Sequence, residues 1–253
     1  MSGGGTAGFL GVTFDVLDEP AVLAWIDAAA GETPFRYVVT PNVDHVVMLA
    51  EDGNEPWRGA YRDAVADAAL TINDSRILQR LARLSGKNLP VTPGSDIVRA
   101  LVRERQGRAG TVALVGGRVE EADWLRRAMP HHTVLHHQPP MGVRDDAATQ
   151  QSIARFVEDS RAELALFAIG APQSEIVCRA IALRRRASGL GLCIGASVEF
   201  LSGAKRRAPT WMQKAGLEWL FRLANEPTRL WHRYLVRGPR VFALWWMHER
   251  GRA

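Results

Sequence analysis

Cysteine is scarce: Cys178 and Cys193 are the two thiols in 253 residues, and each sits inside an apolar run. That is too few for a disulfide-framed secreted domain, and it favours buried, reduced core residues in a reducing compartment. Long apolar runs are missing as well. Nowhere do about 18 uncharged apolar residues follow one another, as a spanning helix needs. Residues 1–10 are Gly-rich and carry no Lys or Arg before a short apolar stretch, so no secretory leader is expected. No G-x-G-x-x-G follows a strand-like run and no G-x-x-x-x-G-K-[ST] occurs, which removes support for the common dinucleotide and P-loop readings. His131, His132, His136 and His137 cluster, but no Cys or carboxylate stands at ligand spacing beside them. No metal site and no cofactor is predicted.

What is present is a hydrophobic fraction of 47%, enough for a full core, and an uneven charge. From Lys205 to the end there are 11 Lys and Arg against 3 Asp and Glu, while residues 1–204 hold 21 against 24. The body is mildly acidic and the tail strongly basic. Five of the eight Trp, at 211, 219, 231, 245 and 246, also fall in that tail. Cation plus indole suits an anionic lipid surface, where indole prefers the headgroup zone and each Lys or Arg gains about 1 kcal/mol. The boundaries expected are a body over 1–204 and a membrane-associating appendage over 205–253. An exposed apolar tail would also drive self-association into a homo-oligomer off the membrane.

Short β-branched runs alternate with helix-like stretches, the pattern of a mostly parallel, Rossmann-like α/β sheet flanked by helices. Strands are expected at 37–40, 69–72, 111–116, 133–136, 164–169 and 190–194. Ligands of such sheets gather beyond the carboxyl ends of the strands. There the chain places Thr40-Pro41-Asn42, Asn73-Asp74, Gly116-Gly117, Pro139-Pro140-Met141-Gly142, Gly170-Ala171-Pro172-Gln173 and Gly195-Ala196-Ser197. Each is an ordinary turn on its own. Together they describe a pocket whose backbone N–H groups and helix N-termini can take an anion such as a diphosphate.

Seven stretches resemble the WecG/TagA/CpsF family of bacterial glycosyltransferases, glycosyltransferase family 26: VVTPNVDHVVMLAED (38–52), ADAALTINDSRIL (66–78), GSDIV (94–98), VALVGG (112–117), PPMG (139–142), IGAPQSE (169–175) and the long run 194–235 beginning IGASVEFLSG. They keep the family's order over nearly the whole chain. The resemblance implies transfer of an N-acetylmannosamine-type sugar, a uronic acid or a hexose from UDP to a polyprenyl-diphosphate-linked acceptor. It also implies inversion at the anomeric carbon, no obligatory metal, and a place at the inner face of the plasma membrane.

Asp74 matches the family's catalytic acid; from the residues alone it could equally cap the helix beginning near Ser75. Thr40 and Asn42 match positions near the sugars, though a capped turn before Asp44 would use them too. Donor contacts are expected from Gly116, Gly117, Pro140, Gly142, Gly170, Ala171, Pro172, Gln173, Gly195 and Glu199. The chain also departs from the family pattern. Gln173 is displaced by one position, with Ser174 where the family carries glutamine, and the arginine usual near Thr92 is absent. Arg229, Arg233 and Arg237 are spaced four apart on one helix face and could supply that charge or meet lipid phosphate. Two other readings compete: a catalytically weak scaffold of a polysaccharide assembly, and a nucleic-acid-binding protein using the Arg/Trp tail.

Overall fold

The computed structural model describes residues 5–204 and 208–251. Its strands are β1 (Thr6–Phe9), β2 (Val12–Asp15), β3 (Arg36–Val39), β4 (Leu70–Thr71), β5 (Gly110–Gly116), β6 (His132–His137), β7 (Leu164–Ala168) and β8 (Leu190–Cys193). The last six form one sheet in the order β4-β3-β8-β7-β5-β6, every pair parallel. All six expected strands exist, with ends shifted by a residue or two.

Period-two alternation assigns the strand side chains to two cores. Val112, Leu114, Leu164, Leu166, Leu190 and Leu192 face one layer with Val22, Ile26, Ile97, Leu101 and Leu125. Ala113, Val115, Ala165, Phe167 and Cys193 face the other with Val46, Val47, Tyr61, Ile153, Val177 and Ile181. Because both faces are buried, the strands read as continuous apolar runs. Among the helices so anchored are Glu19–Ala29, Gly94–Glu104 and Val119–Ala128 on the first face, and Val43–Ala50, Pro56–Ala66, Ala147–Ser160 and Gln173–Arg184 on the second.

An N-terminal hairpin, β1–β2, was not expected from the Gly-rich start. Phe9 pairs with Val12 around a two-residue turn, Leu10 and Gly11, in which both residues have positive φ. Its buried side chains Phe9, Val12 and Phe14 join the second core. Asp15 accepts the Thr71 N–H at 2.8 Å, so the hairpin screens the edge strand β4.

The boundary drawn before Lys205 falls on 205–207, outside the described residues. Beyond it, helices Thr210–Ala215, Glu218–Asn225 and Pro227–Trp231, a π-helical turn His232–Arg237 and helix Arg240–Arg250 pack back onto the body. Leu230 and Val241 are buried. Arg80 donates to the Ala215 carbonyl at 2.9 Å, Arg240 pairs with Glu51 at 2.8 Å, and the Trp245 indole donates to Ser85 Oγ at 2.9 Å.

Phe167 lies in β7, near the middle of the sheet, and is fully buried. Phe167→Ala should cost about 3–5 kcal/mol of stability, read as a lowered urea midpoint with an unchanged slope.

Candidate active site

Parallel strands deliver all their carboxyl-terminal turns to one edge of the sheet, and there a cleft of about 780 Å³ opens. Its walls come from the turns after β3, β4, β7 and β8 and from the tail helices. Thr40, Asn42, Asp74, Gly170, Ala171, Gly195, Glu199, Arg229 and Arg233 all line it.

Asp74 follows β4, and its N–H donates to the Pro41 carbonyl at 3.0 Å. It does not cap the next helix. Ser75 does, its side chain accepting the Leu78 N–H at 3.3 Å, so the carboxylate of Asp74 is left to the cleft. Asn73 fixes the turn from beneath: it accepts the Ser75 N–H and donates to the carbonyls of Ser75 and Pro90. Asp74 itself accepts the Gly94 N–H at 3.3 Å and a hydrogen bond from the Asn42 side chain. A Cβ on Gly94 would stand 3.2 Å from Ser197 Oγ, so this approach of backbone to carboxylate suits glycine. Burial raises the Asp74 pKa to about 7; Arg222 pulls it down and Glu218 pushes it up.

Thr40 donates its hydroxyl to the Cys193 carbonyl at 3.0 Å, joining the ends of β3 and β8. Asn42 caps helix Val43–Ala50 by accepting the Asp44 N–H at 3.0 Å, and its own N–H donates to His45 Nδ1 at 2.9 Å. Desolvation, with Arg233 adding to it, lowers the pKa of half-buried His45 to about 4 and keeps the ring neutral. Asp44, in the first turn, receives Arg233 and Arg237, each at 3.1 Å. Arg229 pairs with Glu226 at 2.5 Å and feels the field of Glu199. Arg237 thus reaches the site through Asp44 and is not on the cleft wall.

Several expected contacts lie elsewhere. Gly116, Gly117, Pro140 and Gly142 are not on this cleft wall, because β5 and β6 occupy the far side of the sheet from β3 and β4. Exposed Met141 is the part of that loop that reaches it. Pro172 shapes the turn through a cis peptide, and Gln173 spends its amide on the Ile169 carbonyl at 2.6 Å; neither lines the cleft. The histidine cluster is dispersed: His136 bonds the Gly116 carbonyl, His137 stacks on Phe156, and buried His132 meets Glu163. Among the described residues no three His, Cys, Asp or Glu side chains gather as ligands.

The cleft also holds residues that sequence reasoning passed over: Arg76, Arg222 and Glu175. Arg222 had a readable signal, since Arg222, Glu226, Arg229 and Arg233 follow the four-three-four spacing of one helix face. Arg76 stands two residues after Asp74. Glu175 closes the IGAPQSE stretch, although its burial arises only in three dimensions.

The model of the Glycosyl transferase WecG/TagA/CpsF family matches residues 7–253. The chain belongs to this family. The WecG/TagA/CpsF match runs through both body and tail, in keeping with a cleft that both of them wall. A glycosyltransferase needs room for a sugar donor and an acceptor, and this cleft offers room with carboxyl and guanidinium groups on its wall.

A buried acid whose folded pKa stands above its unfolded value of 3.8 favours folding while protonated and opposes it once ionised. Stability should therefore fall as pH rises from about 4 through about 7. Asp74→Asn removes that penalty in the transferase. The variant should melt higher than the parent at pH 8, by the equivalent of about 2–4 kcal/mol, and match it near pH 4 in parallel thermal scans.

Proposed function

We propose that the protein transfers a sugar from a UDP-sugar to a polyprenyl-diphosphate-linked acceptor, with inversion, while docked on an anionic membrane surface. The observation that carries this reading is Asp74: a carboxyl group on the cleft wall, relieved of capping by Ser75, oriented by Asn42 and Gly94, with its pKa raised to about 7. A base works best when its pKa lies near the operating pH. In one displacement the acceptor hydroxyl passes its proton to Asp74. Its oxygen then bonds to the anomeric carbon, and the bond from that carbon to the diphosphate oxygen breaks on the opposite face. Arg76, Arg222 and Arg229 line the same cleft and can offset the charge growing on the departing diphosphate.

Those guanidiniums also answer the scaffold reading, which leaned on the arginine missing near Thr92. The nucleic-acid reading needs a free basic stripe. Arg229, Arg233, Arg237 and Arg240 are instead paired with Glu226, Asp44 and Glu51.

Membrane docking draws on the outer face of the tail. No described helix is long and apolar enough to cross a membrane. Trp211, Trp231, Trp246 and Met247, none of them on the cleft wall, are nevertheless exposed, each more than half accessible. Two of the five tail indoles are committed elsewhere, Trp219 against Tyr234 and Trp245 on Ser85, so lipid contact falls to Trp211, Trp231 and Trp246.

With UDP-sugar and a polyprenyl-diphosphate-linked sugar acceptor, Asp74→Asn should lower UDP release about 10²–10⁴-fold while donor binding by calorimetry persists. The parent kcat should rise with pH through an inflection near 7 as Asp74 loses its proton. Near-normal turnover by the variant removes Asp74 from the role of base.

The double variant Trp231→Ala/Trp246→Ala should bind phosphatidylglycerol vesicles at least about tenfold more weakly in co-sedimentation, if each indole contributes about 1 kcal/mol or more. Unchanged binding refutes docking through this face.

A further inference from the structure

The described arginines of the tail keep little charge for a membrane. Arg229, Arg233, Arg237 and Arg240 are paired with Glu226, Asp44 and Glu51, and Arg222 lies over the Phe200 ring and faces the cleft. Arg250 stacks on Trp246, 4.8 Å from the ring centroid. The body, although mildly acidic as a whole, holds a basic island. Between Asp74 and Asp96 the chain carries Arg76, Arg80, Arg83 and Lys87 and no Asp or Glu.

Helix Arg76–Leu84 presents three of these cations at i, i+4 and i+7, one face of the helix, and turns Leu78, Leu81 and Ala82 into the body. Arg76 lines the cleft. Arg80 is held by the tail, donating to the Ala215 carbonyl at 2.9 Å. Arg83 is exposed, and half-buried Lys87 follows in the turn that its own N–H closes on the Ala82 carbonyl at 2.8 Å. Among the described residues neither Arg83 nor Lys87 has an ion-pair partner. Leu84, beside them, is 71% exposed. The field at a helix C-terminus favours Arg83 where it stands, but it gives no reason for the leucine.

The tail meets this helix near both ends, at Arg80 through the Ala215 carbonyl and at Ser85 through the Trp245 indole. Arg83 and Leu84 lie between these two contacts, beside the tail helices that carry exposed Trp211, Trp246 and Met247. Resting on the docking reading, we propose that the end of helix Arg76–Leu84 is a second membrane contact, in which Arg83 and Lys87 take the phosphates of anionic phospholipids and Leu84 enters the acyl boundary. Cations without protein partners meet lipid phosphate at no cost in broken ion pairs, and a leucine at their side gains from the apolar phase beneath. The tail then supplies mostly indole, and the body supplies charge. Nine residues of helix span about 13 Å, so lipid held at Leu84 stays close to the turn that bears Asp74.

The test is co-sedimentation of the full chain with phosphatidylglycerol vesicles and with phosphatidylcholine vesicles over a range of salt. The parent should prefer the anionic vesicles, and less so as salt rises. Arg83→Ala/Lys87→Ala should weaken binding to them about tenfold or more at low salt and flatten its salt dependence. Leu84→Ala should weaken it about threefold and leave the salt dependence as in the parent. Arg127→Ala/Arg186→Ala removes the same charge from exposed positions at the carboxyl ends of helices Val119–Ala128 and Gln173–Arg184, which run back from the cleft edge, and should bind like the parent. Parent-like binding by Arg83→Ala/Lys87→Ala, an unaffected Leu84→Ala, or an equal loss in the control pair overturns the proposal. So does single-stranded DNA that binds the parent as tightly and loses as much in Arg83→Ala/Lys87→Ala, since the island is then a general polyanion site. A parent that ignores anionic vesicles overturns the docking reading itself, whereas a loss in Trp231→Ala/Trp246→Ala with none in Arg83→Ala/Lys87→Ala overturns this proposal alone.

Discussion

The ion pairs from Arg233 and Arg237 to Asp44 are the constraint on which the site depends. Asp44 stands in the first turn of helix Val43–Ala50, where the helix field favours negative charge, and Asn42 caps that turn. The two arginines come from the π-helical turn nearly two hundred residues later, each 3.1 Å from a different carboxylate oxygen. Two guanidiniums on one largely buried carboxylate draw the basic tail over the open edge of the sheet. Removing the carboxylate would leave both cations without their partner, a loss tempered by solvent because each arginine side chain is about a third accessible. Once the tail is anchored there, Arg222 and Arg229 also face the cleft, and the turn bearing Asp74 acquires a roof.

The same clasp sets the chemistry of the cleft. Asn42 caps the helix that carries Asp44 and also donates to Asp74, so the pair that holds the tail and the group proposed as base share one orienting residue. Arg233, brought in by Asp44, helps keep His45 neutral, and Arg222 lowers the Asp74 pKa against the larger effect of burial. Arg222, one of the cations that can offset charge on a diphosphate, therefore also helps Asp74 ionise. For Glu175, which opens the helix after β7, burial raises the pKa to about 8 and only its own backbone N–H pulls it down.

Much of this architecture was legible in the sequence, and the parts that were not share a cause. Strand positions follow from runs such as VALVGG and LALFAIG, because a parallel strand buried on both faces must be apolar throughout. The order of those strands is set by crossovers that leave no local trace. The turns at Gly116-Gly117 and Pro140-Gly142 thus looked equivalent to those at Thr40 and Gly170, yet the β4-β3-β8-β7-β5-β6 order puts them to one side. The hairpin was hidden by its glycines, although Phe9, Val12 and Phe14 do carry its buried alternation. Asp74 could be singled out from its place after a strand, but whether it capped a helix depended on Ser75 and on where the chain 89–94 returns to meet it.

The tail inverts the usual arrangement of a surface helix. A helix packed on a soluble domain normally turns apolar residues inward and charge outward. Here Arg222, Arg229 and Arg233 line the cleft, while Trp231, Trp246 and Met247 are exposed away from it. Ala208, Leu230 and Val241 are buried and Leu244 and Trp245 pack against the second core, and charge and hydrogen bonds hold the segment besides: Asp44, Glu51, Ser85 and the Ala215 carbonyl. Such a segment gains little from water on its outer side and much from any apolar phase laid against it. If that phase is a membrane carrying a lipid-linked acceptor, contact with lipid and completion of the cleft are properties of the same few helical turns. Binding the surface then stabilises the form in which the arginines face the donor, because a ligand that prefers one arrangement of the tail shifts the population toward it by its differential affinity.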